Sequence, residues 1–162
     1  MEIRKGTLKD INEIANIFAI ARKYMIDHNN KTQWKNGYPN ENILISDIKN
    51  GTNYVLVENG EIVGTFSFAV DEEPTYNVIK NGCWHFDGIY GVIHRVASKG
   101  TVKGVAKMCF EYCLSKTNYI RIDTHADNTA MQAAIEKFGF QRCGNIYIED
   151  GSERIAYDYL KE

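Results

Sequence analysis

The stretch with the most chemical content runs His94-Arg95-Val96-Ala97-Ser98-Lys99-Gly100-Thr101-Val102-Lys103-Gly104-Val105-Ala106. It reads as a strand, a turn holding two glycines, and a helix start. The first N–H groups of a helix have no acceptor within the helix, and the helix dipole adds positive potential there. Such a start is a ready anion site. Gly104 and Ala106 carry little or no side chain, so a phosphate can approach the backbone, and Lys99, Lys103 and Lys107 add charge nearby. A diphosphate is the natural guest. An ordinary strand-to-helix turn with solvated lysines reads the same way, since short glycine patterns often match by chance. The nucleotide motifs G-x-x-x-x-G-K-[ST] and G-x-G-x-x-G are both absent. The chain instead carries Ile120-Arg121-Ile122-Asp123-Thr124-His125-x-x-Asn128-x-x-Met131, closing on Lys137-Phe138-Gly139-Phe140.

The elements that must position these residues can be read from periodicity and turn chemistry. Met1–Arg4 reads as an opening strand. Thr7 caps a helix reaching about Met25, with Asp10 completing a capping box and Leu8, Ile11, Ile14, Ala15 and Phe18 forming its apolar stripe. A polar loop with Trp34 and Gly37-Tyr38-Pro39 leads to a short helix, Glu41–Lys49, capped by Asn40 and ended by Asn50-Gly51. Tyr54–Val57 and Ile62–Val70 make a hairpin on Asn59-Gly60, and Asp71–Gly82 is a polar excursion. Next come the strand Tyr90–Ala97, the helix from Val105 to about Lys116, the strand Tyr119–Thr124 and the helix Asn128–Phe138. Phe140–Ile148 and Arg154–Leu160 close the chain as two strands. The order βααβββαβαββ has a central strand–helix–strand crossover and hairpins at both ends. It predicts an α/β (α+β) fold: a mixed sheet with helices on both faces.

The 162 residues suit one domain, expected over residues 1–162, without repeat or linker. With 44% hydrophobic and 25% charged residues, disorder, collagen-like repeats and coiled coil are excluded. Nineteen Lys+Arg against 21 Asp+Glu leave a net charge of −2, without the basic excess of a nucleic-acid binder. No apolar run reaches the ~18–20 residues of a membrane span, and Met1–Asp10 has no secretory apolar stretch. The expectation is a cytoplasmic chain with no nucleic-acid or membrane partner. Cys83, Cys109, Cys113 and Cys143 form no C-x-x-C pair, and no His sits at metal-ligand spacing from them. Reduced, mostly buried thiols and no metal are expected.

On Ile3-Arg4 with Asp10, the strand-turn-helix segment and the D-T-H-x-x-N…G-F ending, the chain resembles the GNAT superfamily of acyl-CoA-dependent N-acetyltransferases over nearly its whole length. That family's turn motif, Arg/Gln-x-x-Gly-x-Gly/Ala, is met by Thr101-Val102-Lys103-Gly104-Val105-Ala106, with Thr in place of Arg or Gln. The resemblance implies a mostly antiparallel twisted sheet with a central splayed parallel strand pair. It implies acetyl-CoA as co-substrate, its pantetheine arm paired with backbone groups of His94 and Val96. The Val96 amide would polarise the acetyl carbonyl. Amides from Thr101 and Val102 through Lys103, Gly104, Val105 and Ala106 would hold the diphosphate, and Asn128 would contact the arm. The implied reaction is direct attack of a neutral primary amine, on a small molecule or peptide, upon the thioester. A homodimer is one assembly the resemblance allows.

Many members carry a tyrosine seven residues after the asparagine as acid to the departing thiolate; here that position is Ile135. Tyr147 is the leading substitute, because the family's closing hairpin often overhangs the acyl site. His125 is second and His94 third. Each reads equally as a packing or backbone-bonded residue. His85, in Trp84-His85-Phe86-Asp87, could line the acceptor site or activate the amine. Trp34 and Tyr38 could wall the acceptor or simply anchor their loop. The rival reading is a catalytically silent acyl-CoA-binding sensor or interaction module.

Overall fold

Thr7 does not open the long helix directly. In the computed structural model, which describes Met1–Glu162, a 3-10 turn at Leu8–Asp10 precedes α1, Ile11–Asp27. The tighter turn shifts the helical phase. Leu8 is 55% exposed and Ala15 is also exposed, so the predicted stripe is corrected to Ile11, half-buried against the core, with Ile14, Ile17, Phe18 and Met25. The capping residue still acts: the Asp10 carboxylate accepts from the Thr7 N–H at 2.8 Å and the Thr7 hydroxyl at 3.1 Å.

Asp10 also takes both arms of the Arg4 guanidinium, at 2.8 and 3.1 Å. That hydrogen-bonded cation holds the carboxyl down at about 2, against an ordinary 3.8. A depressed folded value stabilises the protein above the unfolded value, and the gain is lost as pH falls through the folded one. Because the Arg4 side chain is 42% exposed, solvent screening reduces the gain to about 1 kcal/mol. Asp10→Asn is expected to cost that amount near neutral pH and almost nothing near pH 2. Urea unfolding at the two pH values checks it.

The remaining elements are α2 (Glu41–Lys49), β1 (Glu2–Lys5), β2 (Asn53–Glu58), β3 (Glu61–Val70), β4 (Gly91–Ser98), α3 (Val105–Leu114), β5 (Tyr119–Thr124), α4 (Thr129–Phe138), β6 (Gln141–Tyr147) and β7 (Glu153–Leu160). Their order is the predicted one; α2 and β5 keep their predicted bounds, and the ends that moved did so by one to three residues. The seven strands form one sheet in the order β1-β2-β3-β4-β5-β7-β6. Antiparallel pairs join β1–β2, β2–β3, β5–β7 and β6–β7, while β4 and β5 run parallel. The mixed, mostly antiparallel sheet expected from the sequence is the observed one. The parallel register joins Gly91–Ile93 to Ile120–Ile122. Beyond it β4 continues to Ser98 and β5 to Thr124.

Packing divides the chain into two compact units, Met1–Phe68 with His94–Cys109, and Ala69–Ile93 with Phe110–Glu162. In the first, Ile14, Ile17 and Phe18 of α1 bury against Leu44 of α2 and Val55, Ile62 and Ala97 of the strands. In the second, Tyr76, Tyr90, Val92, Tyr119, Cys143, Ile146 and Ala156 form a core. A further aromatic group in that unit joins Phe110, Phe138, Phe140 and Tyr159. Cys109, Cys113 and Cys143 are buried thiols and Cys83 is exposed. No helix is long and apolar enough to cross a membrane.

Candidate functional site

The turn between β4 and α3 is built on two glycines in the left-handed region, Gly100 (φ 84°) and Gly104 (φ 83°). Gly100 donates its N–H to the Ser98 hydroxyl at 3.0 Å, and the Gly104 carbonyl accepts the first α3 bond, from the Met108 N–H at 3.0 Å. A Cβ placed on either glycine would meet no protein atom within 4 Å. The backbone at Gly104 therefore faces room where an anion can sit beside the first turn of α3. Lys103 and Lys107 are exposed, whereas Lys99 is ion-paired with Glu61. Thr101 is exposed, Val102 and Ala106 are half-buried, and Val105 is buried in the core.

Nine positions before Gly104, Arg95 sits within β4 at φ 54°, a left-handed conformation that a non-glycine residue adopts at a cost of about 1–3 kcal/mol. Its side chain shows what offsets that cost. Nε and Nη2 donate to the two Asp47 oxygens at 2.9 and 2.8 Å, and Nη1 donates to the Tyr38 hydroxyl at 3.1 Å. Arg95 and Asp47 side chains are 17% and 14% exposed, so the forked pair is well shielded. The kink lies between His94 and Val96, the two residues whose backbone the family resemblance assigns to the thiol arm. A left-handed residue inside a strand breaks its alternation and re-aims the flanking amides. Trp34 meets Phe18 edge-on at 5.6 Å and Tyr38 at 6.3 Å. The loop thus anchors through Trp34 and reaches β4 through Tyr38.

Most of the other candidates lie in the second unit. Tyr147 is 40% exposed at the end of β6, and its hydroxyl donates to Glu153 at 3.3 Å. Partial desolvation and the Glu153 charge push the phenol upward, so it keeps its proton at neutral pH. The Asp127 N–H donates to His125 Nδ1 at 3.0 Å. A backbone N–H can only donate, so the neutral ring carries its proton on Nε2. Desolvation and Arg154 lower the pKa of His125, which favours that neutral ring. Asn128 is the N-cap of α4, its Oδ1 accepting from the Met131 N–H at 3.1 Å, and Ile135 is fully buried. His85 binds the buried Asp158 through Nδ1 at 2.6 Å. His94, in the first unit, is half-buried on β4.

The family model for the Acetyltransferase (GNAT) domain matches residues 1–141. A GNAT-family acetyltransferase from Streptococcus agalactiae 2603 is 30% identical, with a TM-score of 0.91 over 99% of this chain and 95% of that one. The chain belongs to the GNAT acetyltransferase family. Two more distant solved chains share the GNAT fold. One is a GNAT-family acetyltransferase from Bacillus cereus ATCC 10987, at 19% identity and TM-score 0.65 over 99% of this chain and 97% of that one. The other is the ribosomal-protein-alanine N-acetyltransferase from Brucella melitensis, at 16% identity and TM-score 0.62 over 99% of each chain. No curated protein matches the sequence.

GNAT membership implies acyl transfer from an acyl-CoA, and the open backbone at Gly104 fits a diphosphate. The pairing of Arg95 with Asp47 escapes a reading of the sequence. The available signal is an arginine next to a histidine in a strand of otherwise small and apolar residues. Asp47, 48 positions away on α2, offers none.

Proposed function

We propose that this GNAT protein moves an acetyl group from acetyl-CoA to a primary amine by direct attack. The observation that carries the reading is the Arg95 kink set nine positions before the open Gly104 backbone. On this reading the amides of Val102–Ala106 hold the diphosphate and backbone groups of His94 and Val96 pair with the amide-rich arm. The Val96 N–H supports the carbonyl oxygen as charge develops on it. Asn128 adds a contact to the arm. Tyr38, Trp34 and His85 belong to the acceptor side. The attacking amine gives its proton to water, its nitrogen bonds to the carbonyl carbon, and the carbon–sulfur bond breaks.

Tyr147 is the proposed proton donor to the departing thiolate. His94 remains the alternative donor, and the neutral ring of His125 is a weaker one. A thiol titrates near 8.5, about 1.5 units below an ordinary phenol, so the need for an acid is mild. Tyr147→Phe is expected to lower kcat about tenfold, less than a typical general acid contributes, with KM for acetyl-CoA within about twofold. Steady-state release of free thiol with a panel of amines reads both parameters. An unchanged kcat removes Tyr147 from the reaction.

A second reading has one observation in its favour, the fully buried Ile135 where many relatives carry the acid. It is a silent acyl-CoA binder. Saturable thiol release above background hydrolysis with any amine in the panel eliminates it.

A further inference from the structure

The second unit holds a side-chain cluster of which only His85 has a proposed part in acyl transfer, while Cys143 and Asp158 have none. His85 Nδ1, Cys143 Sγ and an Asp158 carboxylate oxygen all lie within 4.8 Å of one another. Nδ1 stands 2.6 Å from Asp158 Oδ1 and 3.3 Å from Cys143 Sγ. Asp158 is 1% exposed and Cys143 is 6% exposed. A cysteine that merely fills a core needs neither a carboxylate nor an imidazole at its sulfur.

We propose that His85 Nδ1, Cys143 Sγ and Asp158 Oδ1 form a site for a borderline-soft divalent cation, with Zn²⁺ the best match. One nitrogen, one sulfur and one carboxylate oxygen is a zinc donor set, with bonds of about 2.0–2.3 Å. In a tetrahedron those bonds place donors roughly 3.3–3.6 Å apart. The His85–Cys143 edge already has nearly that length. The His85–Asp158 edge must open by less than about 1 Å, and the ring can swing, because its side chain is 35% exposed on the loop before β4.

The outer partners support the assignment. Asp158 Oδ2 accepts from the His85 N–H at 2.8 Å and from the Tyr119 hydroxyl at 2.9 Å, leaving Oδ1 as the single coordinating oxygen. Arg121 is the nearby cation that would oppose a metal. Its guanidinium is held between the Trp84 and Tyr90 rings, at 4.4 and 4.2 Å, and donates to the Tyr119 hydroxyl and the Phe86 carbonyl. A depression of ≈ 480 Å³, lined in part by Phe86, Gln141 and Asp158, opens beside the cluster at Asp158. On binding, Cys143 loses its thiol proton to solvent and His85 moves its Nδ1 proton to Nε2. One thiolate and one carboxylate then neutralise the ion.

The bound ion would staple the loop before β4 to β6 and β7, joining positions 85, 143 and 158. The test uses the full chain, stripped with a chelator and titrated with Co²⁺ or Zn²⁺ alone. One equivalent of Co²⁺ is expected to give a thiolate-to-cobalt charge-transfer band. The band persists in Cys83→Ser and disappears in Cys143→Ser. Zn²⁺, unlike Mg²⁺, raises Tm, and His85→Ala, at an exposed ring, weakens Zn²⁺ at least about tenfold in chelator competition. Absence of the band, its survival in Cys143→Ser, its loss in Cys83→Ser, or parental affinity in His85→Ala overturns the site.

Discussion

Gly104→Ala is expected to weaken CoA binding about 100-fold, or roughly 2.7 kcal/mol, while Gly100→Ala leaves it within about threefold. Both glycines lie near φ 84°, and a Cβ on either meets no protein atom within 4 Å. An alanine at each therefore carries a similar backbone cost, about 1–2 kcal/mol in the left-handed region. The two variants should lose similar amounts of Tm. They differ in what the new methyl faces. At Gly104 it stands beside the first turn of α3, where the proposed diphosphate must come within hydrogen-bond reach of the amides. Calorimetric titration with CoA, together with thermal unfolding of each variant, separates the two effects. Equal CoA affinity in the two variants would move the diphosphate elsewhere.

Asp47→Ala is expected to lower kcat about 30-fold and stability by about 3 kcal/mol, as for breaking a shielded ion pair and leaving the arginine unpartnered. Asp47 is proposed to act through Arg95, as a positioning residue. The test is rescue. Glycine adopts φ 54° without steric cost, so adding Arg95→Gly to Asp47→Ala keeps the kink without needing its clamp. The double variant should recover at least about half of the lost activation free energy, a rise of about fivefold in kcat over Asp47→Ala. Stability need not recover with it. A purely structural role for the pair predicts instead that kcat tracks Tm through both variants. A double variant no faster than Asp47→Ala would detach the kink from the chemistry.

The β4–α3 turn is legible in the sequence because everything that shapes it is local: glycines needing positive φ, a helix start, and a short strand before it. The Asn40 cap of α2 and the Gly139 stop of α4 are legible for the same reason, each satisfied by a neighbour within a few positions. Leu8 misleads the stripe of α1, since a 3-10 turn and an α-helix share capping signals but differ in turn angle. Arg95 with Asp47, and His85 with Cys143 and Asp158, are not legible. Their partners stand 48, 58 and 73 positions apart.

By itself the sequence determined the order of the elements and the mixed sheet, because hydrophobic period, caps and turn residues act over a few bonds, and its motifs carried the resemblance to the family. Only the tertiary structure decided which charges meet. It set Arg95 against Asp47 at a strained strand position, and it placed a thiol, an imidazole and a buried carboxylate around one point. Those encounters depend on strand register and helix packing, and a one-residue slip in either would turn the same side chains to the opposite face.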